Sequence, residues 1–280
     1  MGAARPELGL NSWTTGEKVA LPTDIAVAAA AGFERLELCD WKIERHLAAG
    51  GSLPEIRRRL DEAGLRLLSV NTLDDATLHQ GERAAALVER CRVLCGYAAA
   101  LGAPVVIVGP SYRRDGFAGL EAAEIRDRTA AALGRYAAVA AAAGVAIGFE
   151  FHGYAACSIH TVADAVAALD ALGEPRVGLV LDAFHLYVGG TPLADVAALD
   201  PARLLIVHLA DVDQPDRATL GKPNRIMPGL GVLPLRPLVE AVRQAGYAGP
   251  WSLELFRPEY WEMDPLVLAR RALASLQAFV

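Results

Sequence analysis

The chain has 280 residues, 53% hydrophobic and 21% charged, and its 27 basic and 33 acidic side chains leave a net charge of −6. This content excludes a disordered or collagenous chain, and with no basic patch or aromatic–basic stripe it argues against a nucleic-acid partner. The mean hydropathy of +0.27 comes largely from alanine, and the longest uncharged apolar stretch, Tyr136–Phe149, is shorter than the roughly 20 residues that cross a bilayer.

In chain order, apolar runs alternate with amphipathic Ala/Leu-rich segments. The first run, Leu8–Trp13, precedes a predicted helix over 22–31. Arg35–Cys39 precedes one over 52–63, and Arg66–Asn71 one over 82–101. Val105–Val108 is followed by 120–143, Ala146–Phe151 by 161–172, and Gly178–Leu181 by 192–199. Leu204–His208 leads to 234–245, and Trp251–Leu255 to 264–278. Glycines at 32, 64, 102, 144 and 246 follow helical segments, where a left-handed cap is wanted. Pro22, Pro54, Pro192, Pro234 and Pro265 stand at or near helix starts, where a missing N–H costs little.

Runs such as VVIV, GLVL and LLIV are continuously apolar, as strands buried on both faces are. Strand and helix in strict alternation over this length predict an α/β fold, a single (β/α)₈ TIM barrel. The alternative is a doubly wound open sheet, but LGLNSWTTGE after the first run is no phosphate-binding fingerprint. No linker or composition shift divides the chain, so 1–280 reads as one domain. Cys39, Cys91, Cys95 and Cys157 form no CxxC pair. Reduced thiols, together with an N-terminus lacking an apolar signal core, predict a cytoplasmic protein without a membrane partner.

In such a barrel the site lies at the C-terminal strand ends. The fifth to eighth runs end in GFEFHG, LDAFH, VHLAD and LELFR, placing Glu150, Asp182, His208 and Glu254 at one level. A carboxylate inside an apolar run is costly unless paired or metal-bound. Three carboxylates and one imidazole together predict a site for one divalent metal ion, Mn²⁺, Co²⁺, Mg²⁺ or Zn²⁺. His185 follows Asp182 by three positions and His152 follows Glu150 by two, so both are candidate substrate contacts. Arg225, before the Pro228-Gly229 turn, can set a guanidinium over an anionic oxygen. Glu37 with Asp40, Asn71 and Trp13 end the first three runs and are candidates for the wall of a polyol pocket. His46, His79 and His160 read as structural or solvated.

These motifs, in this order and spacing, resemble the xylose-isomerase-like sugar isomerase/epimerase superfamily of TIM barrels. GFEFHG, VGLVLDAFH, IVHLAD, NRIMPGLG and WSLELFRPEYW carry the resemblance. Within it the chain is most similar to the inosose isomerases of the IolI type, on Cys157–Thr161, VGLVLDAFH and ELFRPEYW. The resemblance implies that Glu150, Asp182, His208 and Glu254 bind one divalent metal. It implies that His185 and Arg225 contact a keto-sugar or keto-polyol. It further implies isomerisation of a keto-inositol through an enediolate, with Glu150 and Glu254 as the acid–base pair.

A dehydratase of inosose or 3-dehydroshikimate on the same site is the alternative, as is a ketose 3-epimerase. Phe151-His152-Gly153 stands where those epimerases carry proline and an Asn-Arg pair. From another class, a non-catalytic sugar-binding barrel remains a competing reading. Many barrels of this type are homodimers or homotetramers.

Overall fold

Eight parallel strands close into a barrel in the computed structural model, which describes residues 5–113 and 116–280. Of the span 1–280 read as one domain, residues 1–4, 114 and 115 lie outside the described residues. The barrel strands are β1 (Leu8–Asn11), β2 (Arg35–Cys39), β3 (Arg66–Leu73), β4 (Val105–Val108), β5 (Ala146–Glu150), β6 (Val177–Asp182), β7 (Leu204–Leu209) and β10 (Trp251–Leu253). Each pairs with its neighbour in sequence, and β1 closes the ring against β10 through Leu8 opposite Trp251. Between β7 and β10, β8 (Asp211–Val212) and β9 (Arg225–Ile226) form a short antiparallel pair.

The outer helices are α1 (Leu21–Ala31), α3 (Leu53–Ala63), α4 (Gly81–Leu101), α5 (Ala122–Ala143), α6 (Val162–Leu172), α8 (Leu193–Ala197), α9 (Leu235–Gln244) and α11 (Pro265–Gln277). Their ends follow local chemistry. Ser52 caps α3 by accepting the Glu55 amide, with Pro54 in the first turn. Gly144 closes α5 at φ 72°, a conformation that costs a side-chain-bearing residue about 1 kcal/mol or more.

Three short helices were not legible in the sequence: α2 (Asp40–Ala48), α7 (Ala183–Val188) and α10 (Pro258–Trp261). They span too few turns to carry a clear period. α7 begins because the Asp182 carboxylate, at the end of β6, accepts the His185 amide. Strand ends also differ from expectation. β1 stops at Asn11 rather than Trp13, β3 runs to Leu73, and β10 stops at Leu253, which leaves Glu254 just beyond it.

Side chains two apart on a strand share a face, and this sets the height of the site. Leu68, Val105, Ile107, Val180 and Ile206 pack as a separate apolar plug. Gly148 completes it, because a Cβ there would come within 2.8 Å of both Val105 and Val180. Two residues further along the same strands stand Glu150, Asp182 and His208. The sealed floor therefore lies directly beneath the polar layer.

Candidate metal and substrate site

The strand ends bring the four predicted metal-binding residues together. Ligand atoms of Glu150, Asp182, His208 and Glu254 lie within 4.8 Å of one another, and all four residues are buried. His208 Nδ1 is 3.1 Å from Glu150 Oε1 and 3.9 Å from Glu254 Oε2. Asn11, at the end of β1, donates its amide to Glu254 Oε1 at 2.9 Å.

Burial raises the Glu254 carboxyl, and repulsion from Glu150 and Asp182 adds to it, outweighing His208 and Arg225; the result is about 8. Burial alone would lower His208, but Glu37 and Glu150 hold its imidazolium well above the usual range. Three crowded carboxylates with an imidazole nitrogen among them are the complement of a divalent cation. The donor set fits such an ion, and Glu150, Asp182, His208 and Glu254 are the residues that would hold it.

Arg225 and His185 join the quartet. One Arg225 nitrogen (Nη2) is 3.1 Å from Asp182 Oδ2, 3.1 Å from His185 Nε2 and 4.0 Å from Glu254 Oε2. Its guanidinium lies over Phe184 at 4.0 Å and Phe256 at 4.9 Å, and Nε and Nη1 remain unpaired. Fully buried between aromatic faces, it keeps donors free for a ligand. His185 accepts the Gly153 amide at Nδ1, 3.1 Å away, which fixes the ring plane, and its Nε2 faces the Arg225 guanidinium. Burial drives the His185 pKa well below its ordinary value, assisted by His152 and Arg225, so the ring is neutral. Gly153 is required there, because a Cβ would overlap the His185 carbonyl oxygen.

His152 stacks on His185 with ring centroids 4.6 Å apart, and its Nδ1 lies 3.9 Å from Asp74 Oδ1. Asn71 is buried on β3 with Oδ1 unpartnered. Trp13 is half-buried in the turn after β1, with its ring 5.2 Å from both Trp41 and Phe256. Glu37, expected in the pocket wall, lies instead beneath His208 with no exposure; Oε1 is 3.0 Å from His208 Nε2, and Oε2 accepts Ser69 Oγ at 2.7 Å. Asp40, expected beside it, starts α2 and pairs with Arg90 at 2.5 Å.

Some contributors carried no signal by residue type. Asn11 lies inside the first predicted run, and neither it nor Phe184 or Phe256 was singled out by the sequence. Asp211 is fully satisfied: its carboxylate accepts the amides of Gly229 and Gly231, each at 3.0 Å, and of Leu233 at 2.9 Å. It thereby pins the loop that carries Arg225 opposite β8. Cys39, Cys91, Cys95 and Cys157 are buried thiols outside any disulfide. Among the described residues, no helix is long and apolar enough to cross a membrane.

A family model described as xylose isomerase-like TIM barrel matches residues 25–279. An inosose isomerase of Halalkalibacterium halodurans is 25% identical over 258 residues, which is 92% of this chain and 90% of that protein. A 3-dehydroshikimate dehydratase of Pseudomonas aeruginosa is 28% identical over 239 residues, 84% of this chain but 36% of that protein. Among solved structures, the IOLI protein with a bound zinc atom shares the fold at a TM-score of 0.92 and 23% identity, over 98% of both chains.

Proposed function

The chain belongs to the xylose isomerase-like TIM barrel family, and on that premise we propose that it is a divalent-metal-dependent isomerase of keto-inositols. The observation that carries this reading is the buried quartet of Glu150, Asp182, His208 and Glu254 facing the free donors of Arg225. The similarity to an inosose isomerase over 92% of the chain supports the substrate class. The zinc of the IOLI protein supports a metal at the quartet, with Mn²⁺, Co²⁺ and Mg²⁺ as other candidates. The reading includes a cytoplasmic protein whose partner is a small keto-polyol.

When bound, a divalent cation supplies Lewis-acid polarisation of a ketone oxygen and its neighbouring hydroxyl. The protein's own groups do the rest. Glu150 and Glu254 approach from β5 and from the end of β10, on either side of the Asp182 and His208 strands. One carboxylate removes the proton from the carbinol carbon beside the ketone, giving an enediolate. The other returns a proton to the former carbonyl carbon, while the hydroxyl proton moves to the former ketone oxygen. Product and substrate are isomers, and such transfers contribute about 10²–10⁴-fold. Arg225 donates to the developing oxyanion. His185 stands beside the Arg225 guanidinium at the oxyanion side, and its Gly153 bond fixes the ring. Trp13 and Phe256 cover the ring face of the substrate, and Asn71 and His152 offer contacts to its hydroxyls.

A second reading, a dehydratase, is favoured by His152 stacked against His185, since an imidazole there can protonate a departing β-hydroxyl. The test is deuterium exchange followed by NMR in D₂O with Mn²⁺ or Zn²⁺, over inososes, ketoses and 3-dehydroshikimate. Exchange next to the carbonyl with product mass unchanged apart from deuterium supports the isomerase. Loss of water from the product establishes the dehydratase, and no exchange with any ketone overturns both.

A further inference from the structure

Glu37 meets the site through His208, on the side of the ring turned away from Glu150 and Glu254. It comes from β2, and His208 comes from β7, which is not a neighbour of β2 in the sheet. The carboxylate therefore reaches across the lumen to meet the imidazole. Both side chains have no exposure, and the apolar plug of Leu68, Val105, Ile107, Val180 and Ile206 packs in the same lumen.

An ionised carboxylate in such a place costs several kcal/mol unless strong partners compensate it. Glu37 has Ser69 Oγ at 2.7 Å and one nitrogen of His208, with Oε1 at 3.0 Å and Oε2 at 3.2 Å from Nε2. The other ring nitrogen, Nδ1, is the one turned toward Glu150 and Glu254. The two nitrogens thus have separate tasks. Nε2–H donates to Glu37, which fixes the ring plane and the tautomer. Nδ1, once its proton is released on metal binding, would present its lone pair to the space among the carboxylates. A carboxylate behind a ligating histidine also strengthens its donor nitrogen, and losing such a partner typically weakens metal binding about 10–100-fold.

We propose that Glu37 is a positioning residue for metal binding, acting through His208 rather than on the substrate. This rests on the metal reading of the quartet. It also replaces the expectation that Glu37 lines the polyol pocket.

The experiment is a zinc titration of the full chain, stripped with chelator, by competition with a chromophoric chelator. It is repeated with Co²⁺, whose visible d–d bands report the ligand field. Glu37→Gln keeps the volume and an acceptor oxygen for Nε2–H, so the fold is retained, as the thermal midpoint of the metal-free chain verifies. Its Zn²⁺ affinity is expected to fall 10–100-fold, with a changed Co²⁺ band envelope. In a His208→Gln background, adding Glu37→Gln is expected to change the affinity less than twofold, because the route through His208 is gone.

A Glu37→Gln chain that binds Zn²⁺ as tightly as the wild type overturns the proposal. So does a loss of the same size in the His208→Gln background, which would mark a general structural effect. Wild-type chain that binds no divalent metal overturns the reading of the quartet and this proposal with it. Wild-type binding combined with an indifferent Glu37→Gln overturns the proposal alone.

Discussion

Replacing Lys42 with methionine removes a buried charge but leaves an unbranched chain of similar length. Lys42, in α2, sets Nζ 2.7 Å from Asp24 Oδ2 in α1 and 3.0 Å from Thr15 Oγ1, and neither side chain of the ion pair is more than 1% exposed. Thr15 lies in the turn that carries Trp13, so this cluster also holds the aromatic wall of the pocket. Burial raises the Asp24 carboxyl from 3.8 to about 6, against the opposing pull of Lys42 and Thr15. Because the folded value lies above the unfolded one, the folded chain holds a proton that the unfolded chain has released. Stability therefore falls as pH rises from 3.8 to about 6, by at most about 3 kcal/mol at about 1.4 kcal/mol per tenfold. Without Lys42 the carboxyl moves higher still, and the decline continues above pH 6. At pH 8, Lys42→Met should lose about 3–5 kcal/mol, the cost of breaking a buried pair, and clearly less at pH 5. The double variant Asp24→Leu/Lys42→Met should return to within about 1–2 kcal/mol of the wild type at pH 8, since an apolar pair replaces an ionic one. Urea denaturation followed by circular dichroism at pH 5 to 8 reads all three proteins. A Lys42→Met loss below about 1 kcal/mol at pH 8, or one equal at pH 5 and pH 8, refutes the reasoning.

Glu254→Gln should keep the fold and lower solvent-deuterium exchange next to the carbonyl by about 10²–10⁴-fold, read by NMR on an active ketone; exchange at the wild-type rate removes Glu254 from proton transfer. Gly153→Ala forces a Cβ into the His185 carbonyl oxygen. It should displace that ring and lower kcat/KM at least about tenfold, while Zn²⁺ affinity, measured by chelator competition, stays unchanged. Chelator treatment should lower the thermal midpoint, and Zn²⁺ at about 100 times its Kd should add about 2.7 kcal/mol of stability over the stripped chain; a midpoint indifferent to both contradicts a resident metal site.

The barrel was legible because its signals are local. Buried parallel strands must be apolar throughout, and helices that turn back onto them end at glycine, so VVIV in β4 and Gly144 after α5 marked their elements before any contact was known. The candidate quartet was legible for the opposite reason: Glu150, Asp182, His208 and Glu254 interrupt apolar runs at equivalent points, where an acid is expensive. What the sequence left open depends on closure of the ring. Glu37 read as a candidate for the pocket wall, and Asn11 carried no signal inside its run. Only the tertiary structure put one under His208, across the lumen, and the other against Glu254. The same closure set Arg225 between Phe184 and Phe256. A strand's pattern records which face is buried, whereas the partner met across a barrel is decided by strand order and stagger, which no local stretch of sequence contains.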